Sequence, residues 1–306
     1  MLLRTKITIR DEQGVGEALM KEGYSKASID LAKQIIKRQF EKTARRVFFN
    51  MLEVWMPAFI VIDLETSPNP CYSAAFCPTK SDKLSFCFVV YKSLVKTVLM
   101  KGKHEVFKQS VIHEMIHAVD NCHWIQYKEP VETVQSSLSE EGVDGCPMEV
   151  LDDIRSVFEH FRREGVALLG EDLLVKRKFK RVDDPMAIFR RFYERFWSKS
   201  IHRIQGDSVE SVFDESNAFF EAYLVGPTVM LLVLKNRGDV AEELAQKTLE
   251  GFNTGVYNLT DKEVKSILEA ALALNLKDYM RGFVQLGEKE VPRTQKILLL
   301  SVKGLM

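Results

Sequence analysis

The sequence predicts an α+β fold in its N-terminal part, followed by a mostly helical remainder. Two segments rich in β-branched and aromatic residues, Ala58–Leu64 and Leu84–Tyr91, have the composition of strands. Apolar residues recur at helical spacing in Ser25–Met56 and in most of the chain after Met148. Strands are therefore expected in the N-terminal third of the chain, and helices dominate afterwards.

The N-terminal elements follow from local patterns. Met1–Arg10 alternates apolar and polar residues, which predicts a strand and not the apolar core of a signal peptide. The long helix that begins at Ser25 must end by Pro57, because proline lacks the backbone N–H that a helix needs. Thr66–Pro70 is a cluster of turn residues, and a further helix is predicted from His104 to about Asp120.

The rest of the chain begins with a polar segment, Glu129–Gly145, that is predicted to be a loop. Three helices are predicted next, at Met148–Leu169, Pro185–Ser198 and Ser208–Val225. Gly226 and Pro227 are expected to stop the third of them. The C-terminal region is helical again, and Thr260 with Glu263 has the spacing of a capping box.

The composition argues against several classes of protein. Lys+Arg and Asp+Glu are equal at 43 each, so no net charge attracts nucleic acid or an acidic membrane surface. The longest apolar runs, such as Val229–Leu234, are far too short to span a bilayer. The cysteines are odd in number and lack C-x-x-C spacing, which predicts reduced thiols in a cytoplasmic setting. They are Cys71, Cys77, Cys87, Cys122 and Cys146.

The stretch QSVIHEMIHAVDNCHW, Gln109–Trp124, contains an H-E-x-x-H pattern. His113 and His117 are about one helical turn apart, so both imidazoles can reach one zinc ion at about 2.0–2.1 Å. Glu114 is rotated by about 100° around the helix. It therefore misses the metal, but it can act as a general base toward water that the metal activates.

The residues around this pattern favour a metal site over coincidence. The other positions from Val111 to Val119 are uncharged, without proline or glycine, so the helix is predicted to be buried. Two histidines and a glutamate on a buried helix are costly unless those groups have partners. The competing interpretation is an amphipathic helix whose histidines are incidental.

One interpretation of the third metal ligand is His123. In an unbroken helix His123 would point about 240° away from His117, so it could bind the metal only after a sharp turn beyond Val119. The pattern H-E-x-x-H-x-x-D-x-x-H resembles the metzincin signature, with Asp120 in place of the glycine that makes this turn. Cys146-Pro147-Met148 would then correspond to the methionine turn of that class.

The other interpretation is Glu215, in the stretch DESNAFFEAYLVGP. Glu215, Ala218 and Ala222 share one face of the predicted helix. Because the two alanines allow another helix to approach closely, the carboxylate could reach a metal held on that neighbour. A surface glutamate on an amphipathic helix is the competing interpretation. Other acidic residues of the region are less well placed, namely Glu210, Asp214 and Glu221.

These residues resemble the zincin metalloproteases, particularly the gluzincins, which have a glutamate as third ligand. HEMIHAVDNC is similar to the HE-hydrophobic-IHA-x-D-x-C stretch of the mitochondrial metalloprotease family that acts in ATP-synthase assembly. A later Ser-Glu-x-x-Ala stretch of that family corresponds to Asp214–Ala218. HEMIHA also resembles the core of the SprT-like (Spartan) proteases, which degrade DNA-crosslinked proteins, although the third histidine of their pattern is not found here.

The resemblance implies a zincin-like domain, in which the metal-binding helix packs beneath a small twisted sheet. It also implies that an edge strand binds extended substrate by strand addition, and Leu84–Tyr91 is the expected edge. The implied cofactor is zinc, held by His113, His117 and Glu215. Glu114 is the implied general base, and the substrate is a peptide or protein. Donors for the transition-state oxyanion could be Tyr223, His202 or His160.

The expected function is therefore zinc-dependent hydrolysis of peptide bonds, and two other functions stay open. Lys176–Arg181 and Phe189–Trp197 combine basic and aromatic residues that could bind nucleic acid. However, Phe189, Phe192 and Phe196 also form a helical stripe that is typical of a core. The third possibility is a structural or regulatory metal site that the later segments cover.

The predicted organisation has four segments. Residues 1–127 form the α+β part with the metal-binding helix, and residues 128–207 form a helical insertion. Residues 208–228 form the helix with the third metal ligand, and residues 229–306 form a helical C-terminal region.

Overall fold

The structure is a computed structural model that describes residues 5–51, 57–66, 74–81, 85–100, 104–127, 148–175, 184–204 and 215–291. Side chains are described throughout these ranges except at 49–51, 104, 122–127, 148–153, 197, 199–204 and 215–224. The chain divides into two compact units, Met1–Trp124 and Ile125–Met306. This division lies close to the predicted limit at residue 127, and the three later predicted segments all belong to the second unit.

The first unit has four strands and four α-helices within the described ranges. They are β1 (Lys6–Arg10), α1 (Val15–Lys21), α2 (Lys26–Ala44), β2 (Phe59–Glu65), β3 (Ala74–Phe76), β4 (Ser85–Tyr91), α3 (Lys92–Leu99) and α4 (His104–Tyr127), whose last turn passes the limit of the unit. The predicted strands β1, β2 and β4 are confirmed. The sequence did not reveal α1, β3 or α3, because each is too short to show a clear period.

The long helix predicted from Ser25 begins as α2 and continues as a π-helical segment, Arg45–Met51. Ser25 caps α2, since its side chain accepts a hydrogen bond from the backbone N–H of Ser28. The apolar face of α2 is buried, and the ring of Phe40 meets the ring of Phe88 edge-on at 5.2 Å between centroids. The periodic apolar residues thus attach α2 to the sheet.

The sheet has the strand order β1-β2-β4-β3. β1 is parallel to β2 and β2 is parallel to β4, whereas β3 is antiparallel to β4. Ile60, Ile62 and Phe88 lie on the same face of the sheet and are fully buried. The core of the first unit therefore lies between this face and the helices that follow the strands in sequence.

The expectation that Leu84–Tyr91 forms an edge strand is wrong. β4 pairs with β2 on one side and with β3 on the other. Its residues from Phe86 to Val90 are at most 3% exposed. A continuous apolar run is the pattern of a strand that is covered on both faces. The edge position belongs to β3, which is the last strand of the sheet as far as the structure describes it.

The second unit is helical over the residues that the structure describes. Its helices are α5 (Met148–Val175), α6 (Pro185–Ile204), α7 (Glu215–Arg237), α8 (Glu242–Thr254), α9 (Asp261–Ala273) and α10 (Leu276–Glu290). The predicted capping box of α9 is confirmed. The Thr260 hydroxyl accepts a hydrogen bond from the Glu263 N–H, and the Glu263 carboxylate accepts one from the Thr260 N–H.

Phe283 of α10 lies at the centre of an aromatic core. Its ring centroid is 5.4 Å from that of Phe189, 5.8 Å from that of Phe192 and 6.1 Å from that of Phe196. The stripe on α6 is therefore core, as one of the two interpretations predicted, and these rings are not available to stack on bases. The basic run Lys176–Arg181 lies outside the described residues.

The expectation that Gly226 and Pro227 stop a helix is wrong, because α7 continues through Pro227 to Arg237. A proline inside a helix costs about 3 kcal/mol. The next apolar run, Val229–Leu234, is no more than 4% exposed. Each large apolar side chain buried there contributes about 1.5–3 kcal/mol, so burial outweighs the cost of the proline.

Gly226 allows α7 to cross α5 closely. A Cβ added to Gly165 of α5 would lie 3.0 Å from the carbonyl oxygen of Gly226.

Within the described parts of the chain, none of the helices combines the length and the apolar character needed to cross a bilayer.

Candidate metal centre

The predicted motif lies on α4, which is buried along its middle turns. Every residue from Val111 to Asp120 is buried, although the set includes four polar side chains. His113 is 4% exposed, and Glu114 and His117 are each 8% exposed. Polar groups removed from water in this way need partners. A helix that is buried at every position from Val111 to Asp120 is not the amphipathic helix of the competing interpretation.

The two histidines face one another across one turn of α4. Their Nε2 atoms are 3.0 Å apart, and their rings are nearly perpendicular, at 83°. Two ligand atoms of a tetrahedral zinc site with bonds of about 2.0–2.1 Å lie about 3.3 Å apart. The separation of the two nitrogens is close to that value, so His113 and His117 fit a shared ion with little rearrangement.

Glu114 does not join the pair of imidazoles but reaches toward the sheet. Its Oε2 atom accepts a hydrogen bond of 2.7 Å from the backbone N–H of Phe76, the last residue of β3. A backbone donor holds this carboxylate in one orientation, because the strand fixes the direction of the N–H. The glutamate predicted as a general base is thus anchored beside the histidines.

The Phe76 N–H points away from the rest of the sheet. The next residue, Cys77, donates its N–H to the Cys87 carbonyl of β4 at 2.9 Å. Alternate residues of a strand direct their backbone groups to opposite sides, so Phe76 and Ala74 face outward from β4. Glu114 therefore lies along the open side of β3, the edge strand nearest to the motif in the described part of the chain.

The structure bears on the third ligand only in part. α4 runs without interruption to Tyr127, so the turn after Val119 that His123 would require is absent. The metzincin-like interpretation therefore fails. Glu215 is the first residue of α7, in the second unit, and its side chain lies outside the described atoms. Glu215 stays a prediction.

The structure does not single out one of the three predicted oxyanion donors. The side chains of Tyr223 and His202 lie outside the described atoms, and His160 is a half-buried residue of α5 in the second unit. One further buried polar residue lies beside the two histidines, namely Asp120, which the sequence analysis treated only as a replacement for a glycine. Asp120 is 3% exposed and lies three residues beyond His117, hence on the same side of α4.

Comparison with known proteins gives no relative, since no family model, no curated protein and no solved structure matches the chain. The chemistry of His113, Glu114 and His117 is therefore the basis for assigning a function.

Proposed function

We propose that the protein is a zinc-dependent peptidase of the zincin type. The observation that carries this proposal is the arrangement of three buried side chains on α4. The Nε2 atoms of His113 and His117 are 3.0 Å apart, and the next side chain, Glu114, is anchored on an edge strand. This arrangement supplies two nitrogen ligands and one oriented base within a single turn of helix.

Zinc is the metal that this donor set favours. Paired imidazoles with a carboxylate are the ligands of catalytic zinc sites, which keep one position open. When bound, zinc acts as a Lewis acid on the scissile carbonyl and lowers the pKa of water to about 7. His113 and His117 would hold the metal in this proposal, and they can do so only as neutral rings that present Nε2.

Glu114 would accept the proton of the attacking water and later deliver it to the leaving amine. A general base needs a fixed position within hydrogen-bond reach of the proton that it takes. The hydrogen bond from Phe76 to Oε2 provides this fixed position before substrate arrives. It also links the base to the strand that we propose binds the substrate.

An extended peptide would add to the sheet at the open side of β3. Ala74 presents its backbone N–H and carbonyl outward there, and Phe76 presents its carbonyl. Strand addition uses these groups for affinity and leaves specificity to the side-chain pockets. Because the Phe76 N–H is bonded to Glu114, a peptide paired with β3 would pass directly by the base.

The proposed third ligand is Glu215, on the sequence argument. Glu215 shares one face of its helix with the small residues Ala218 and Ala222, which allow another helix to approach closely. Glu164 of α5, a half-buried acid, is the competing carboxylate of the second unit.

Zinc binding tests the proposal most directly. The full-length protein, stripped of metal and titrated with zinc, should bind one equivalent as measured by calorimetry and elemental analysis. His113→Ala and His117→Ala should each abolish this binding. His104→Ala, at the start of the same helix, is the matched control and should bind normally. One equivalent of zinc bound equally well by all four proteins would refute the site.

A further inference from the structure

Two thiols face each other where β3 ends. Cys77 directly follows β3, and Cys87 lies opposite to it in β4, joined by the hydrogen bond from the Cys77 N–H to the Cys87 carbonyl. Both thiols are free, and the Cys87 thiol donates a hydrogen bond of 3.5 Å to the Asp63 carboxylate. The two thiols are also close enough for each to shift the pKa of the other. In the adjoining antiparallel ladder, opposed residues have Cα atoms about 4.5–5.5 Å apart, and Cys77 and Cys87 continue this ladder through one direct bond. A disulfide spans Cα separations of about 4.4–6.8 Å.

We propose that Cys77 and Cys87 form a reversible disulfide by exchange with a low-molecular-weight disulfide, and that this pair is a redox modification site at the end of β3. The thiol chemistry is independent of the proposed peptidase. Only its consequence for Glu114 rests on that function, because Phe76 precedes Cys77 in the chain.

The two thiols differ in the way that such an exchange requires. Cys77 is half-buried and can meet a small reagent, whereas Cys87 is 2% exposed. The hydrogen bond from Cys87, helped by the charge of Lys80, lowers the pKa of Cys77 to about 7. The same hydrogen bond, burial and the nearby Asp63 carboxylate raise the pKa of Cys87. Cys77 is therefore the attacking thiolate and Cys87 is the resolving thiol.

The thiol–disulfide exchange takes place in two steps. The Cys77 thiolate attacks one sulfur of the reagent disulfide, forms a mixed disulfide and releases one small thiolate. Cys87 then loses its proton to solvent and attacks Cys77 Sγ, which releases the second small thiolate. Two protein thiols are oxidised and one reagent disulfide is reduced to two thiols. The first step removes the Cys77 charge and the Cys77 hydrogen bond, both of which raise the pKa of Cys87, so it prepares the second step.

Beside the thiols, a serine hydroxyl lies between the backbone groups of the two opposed residues. The Ser81 hydroxyl accepts a hydrogen bond from the Cys87 N–H at 2.9 Å and donates one to the Cys77 carbonyl at 2.7 Å. It thereby replaces the second direct bond of this residue pair. β3 has only three residues, so its attachment to β4 depends on few bonds. A disulfide at this point would link β3 covalently to β4. β3 is the strand whose Phe76 N–H bonds to Glu114.

Peptide mapping by mass spectrometry after incubation with oxidised glutathione tests the proposal. The folded, full-length protein should yield a Cys77–Cys87 cross-linked peptide that dithiothreitol reverses. The Cys71→Ser, Cys122→Ser, Cys146→Ser triple variant should give the same product. In Cys87→Ser, the reaction should stop at a stable glutathione adduct on Cys77. In Cys77→Ser, the buried Cys87 should stay unmodified over the same period.

Two results would overturn the proposal. One is a glutathione adduct on Cys77 that persists in the unmutated protein, and the other is a disulfide between Cys77 and Cys71. Amide hydrogen exchange tests the mechanical effect separately, since the peptide that contains β3 should exchange more slowly in the oxidised protein. Equal exchange in both states would show that the disulfide does not fasten β3. None of these measurements uses zinc or peptidase activity, so their failure and that of the proposed function are distinguishable.

Discussion

The carboxylate of Glu114 on α4 accepts a hydrogen bond from the backbone N–H of Phe76 on β3, over a distance of 2.7 Å. This bond connects α4 to the edge strand, through the side chain that we propose as the base. In the proposed mechanism Glu114 therefore has two roles, one in chemistry and one in holding β3. Substitutions at this position must therefore be chosen to separate the two roles.

We predict that Glu114→Gln abolishes peptide hydrolysis while zinc binding and folding are retained. The glutamine carbonyl can still accept the hydrogen bond from Phe76, but an amide cannot take a proton from water. Loss of a general base lowers turnover by about 10²–10⁴-fold. The measurement is kcat/KM on a cleaved peptide, together with the zinc content of the purified variant.

Glu105→Gln is the matched control for this substitution. Glu105 lies on the same helix, its side chain is 72% exposed, and it pairs with Lys108 at 3.5 Å. Turnover should be unchanged in this variant. Hydrolysis at the normal rate by Glu114→Gln would remove Glu114 from the mechanism. Zinc bound without turnover in the unmutated protein would instead indicate a structural metal site.

We predict that Glu215→Gln weakens zinc binding by more than about 100-fold, the upper end of the effect of losing an outer-shell partner. A neutral amide is a poorer ligand than a carboxylate, and the side chains are nearly equal in size. Competition with a chelator of known affinity measures the effect. Glu221→Gln, on the same helix, is the control and should bind zinc normally. The prediction fails if Glu164→Gln or His123→Ala lowers the affinity and Glu215→Gln does not.

The parts of the site that could be predicted are those encoded within one element. The i, i+4 spacing of His113 and His117 places two rings on one face of any helix, and the apolar residues between them indicate burial. The capping box of Thr260 is equally local. The core position of Phe192 followed from its period, because a helix surrounded by other helices buries such a stripe.

The remaining features depend on contacts between distant residues. β3 has three residues, too few for a period, and its place at the edge follows from its pairing with β4. The bond from Phe76 to Glu114 joins residues 38 positions apart. Pro227 does disfavour a helix locally, but the buried apolar residues further along α7 outweigh this cost. Tertiary packing overrides local propensity at Pro227, whereas the other two features arise from contacts between residues far apart in the sequence.

We predict that the alkylation rate of Cys77 rises with pH and is half-maximal near pH 7. The hydrogen bond from Cys87 lowers the pKa of Cys77 to about 7, and the thiolate is the reactive form. Iodoacetamide labelling of the triple variant that lacks Cys71, Cys122 and Cys146, followed by mass spectrometry, measures the profile. Cys87→Ala in that background should move the midpoint up toward the ordinary cysteine value of about 8.5. Identical profiles with and without Cys87 would show that the hydrogen bond does not control the pKa of Cys77.

The last prediction concerns Arg162 of α5, which is fully buried in the second unit. Its Nε atom donates a hydrogen bond of 2.6 Å to the carbonyl of Leu274, between α9 and α10. Arg162→Met keeps much of the buried volume but removes this donor, so we expect a loss of about 1–3 kcal/mol in the free energy of unfolding. Urea denaturation, followed by circular dichroism, measures it. Arg163→Met, at the half-buried neighbouring position, should change the free energy by no more than about 0.5 kcal/mol. Equal stability of the two variants would show that the Arg162 bond to Leu274 does not hold the α9–α10 connection against α5.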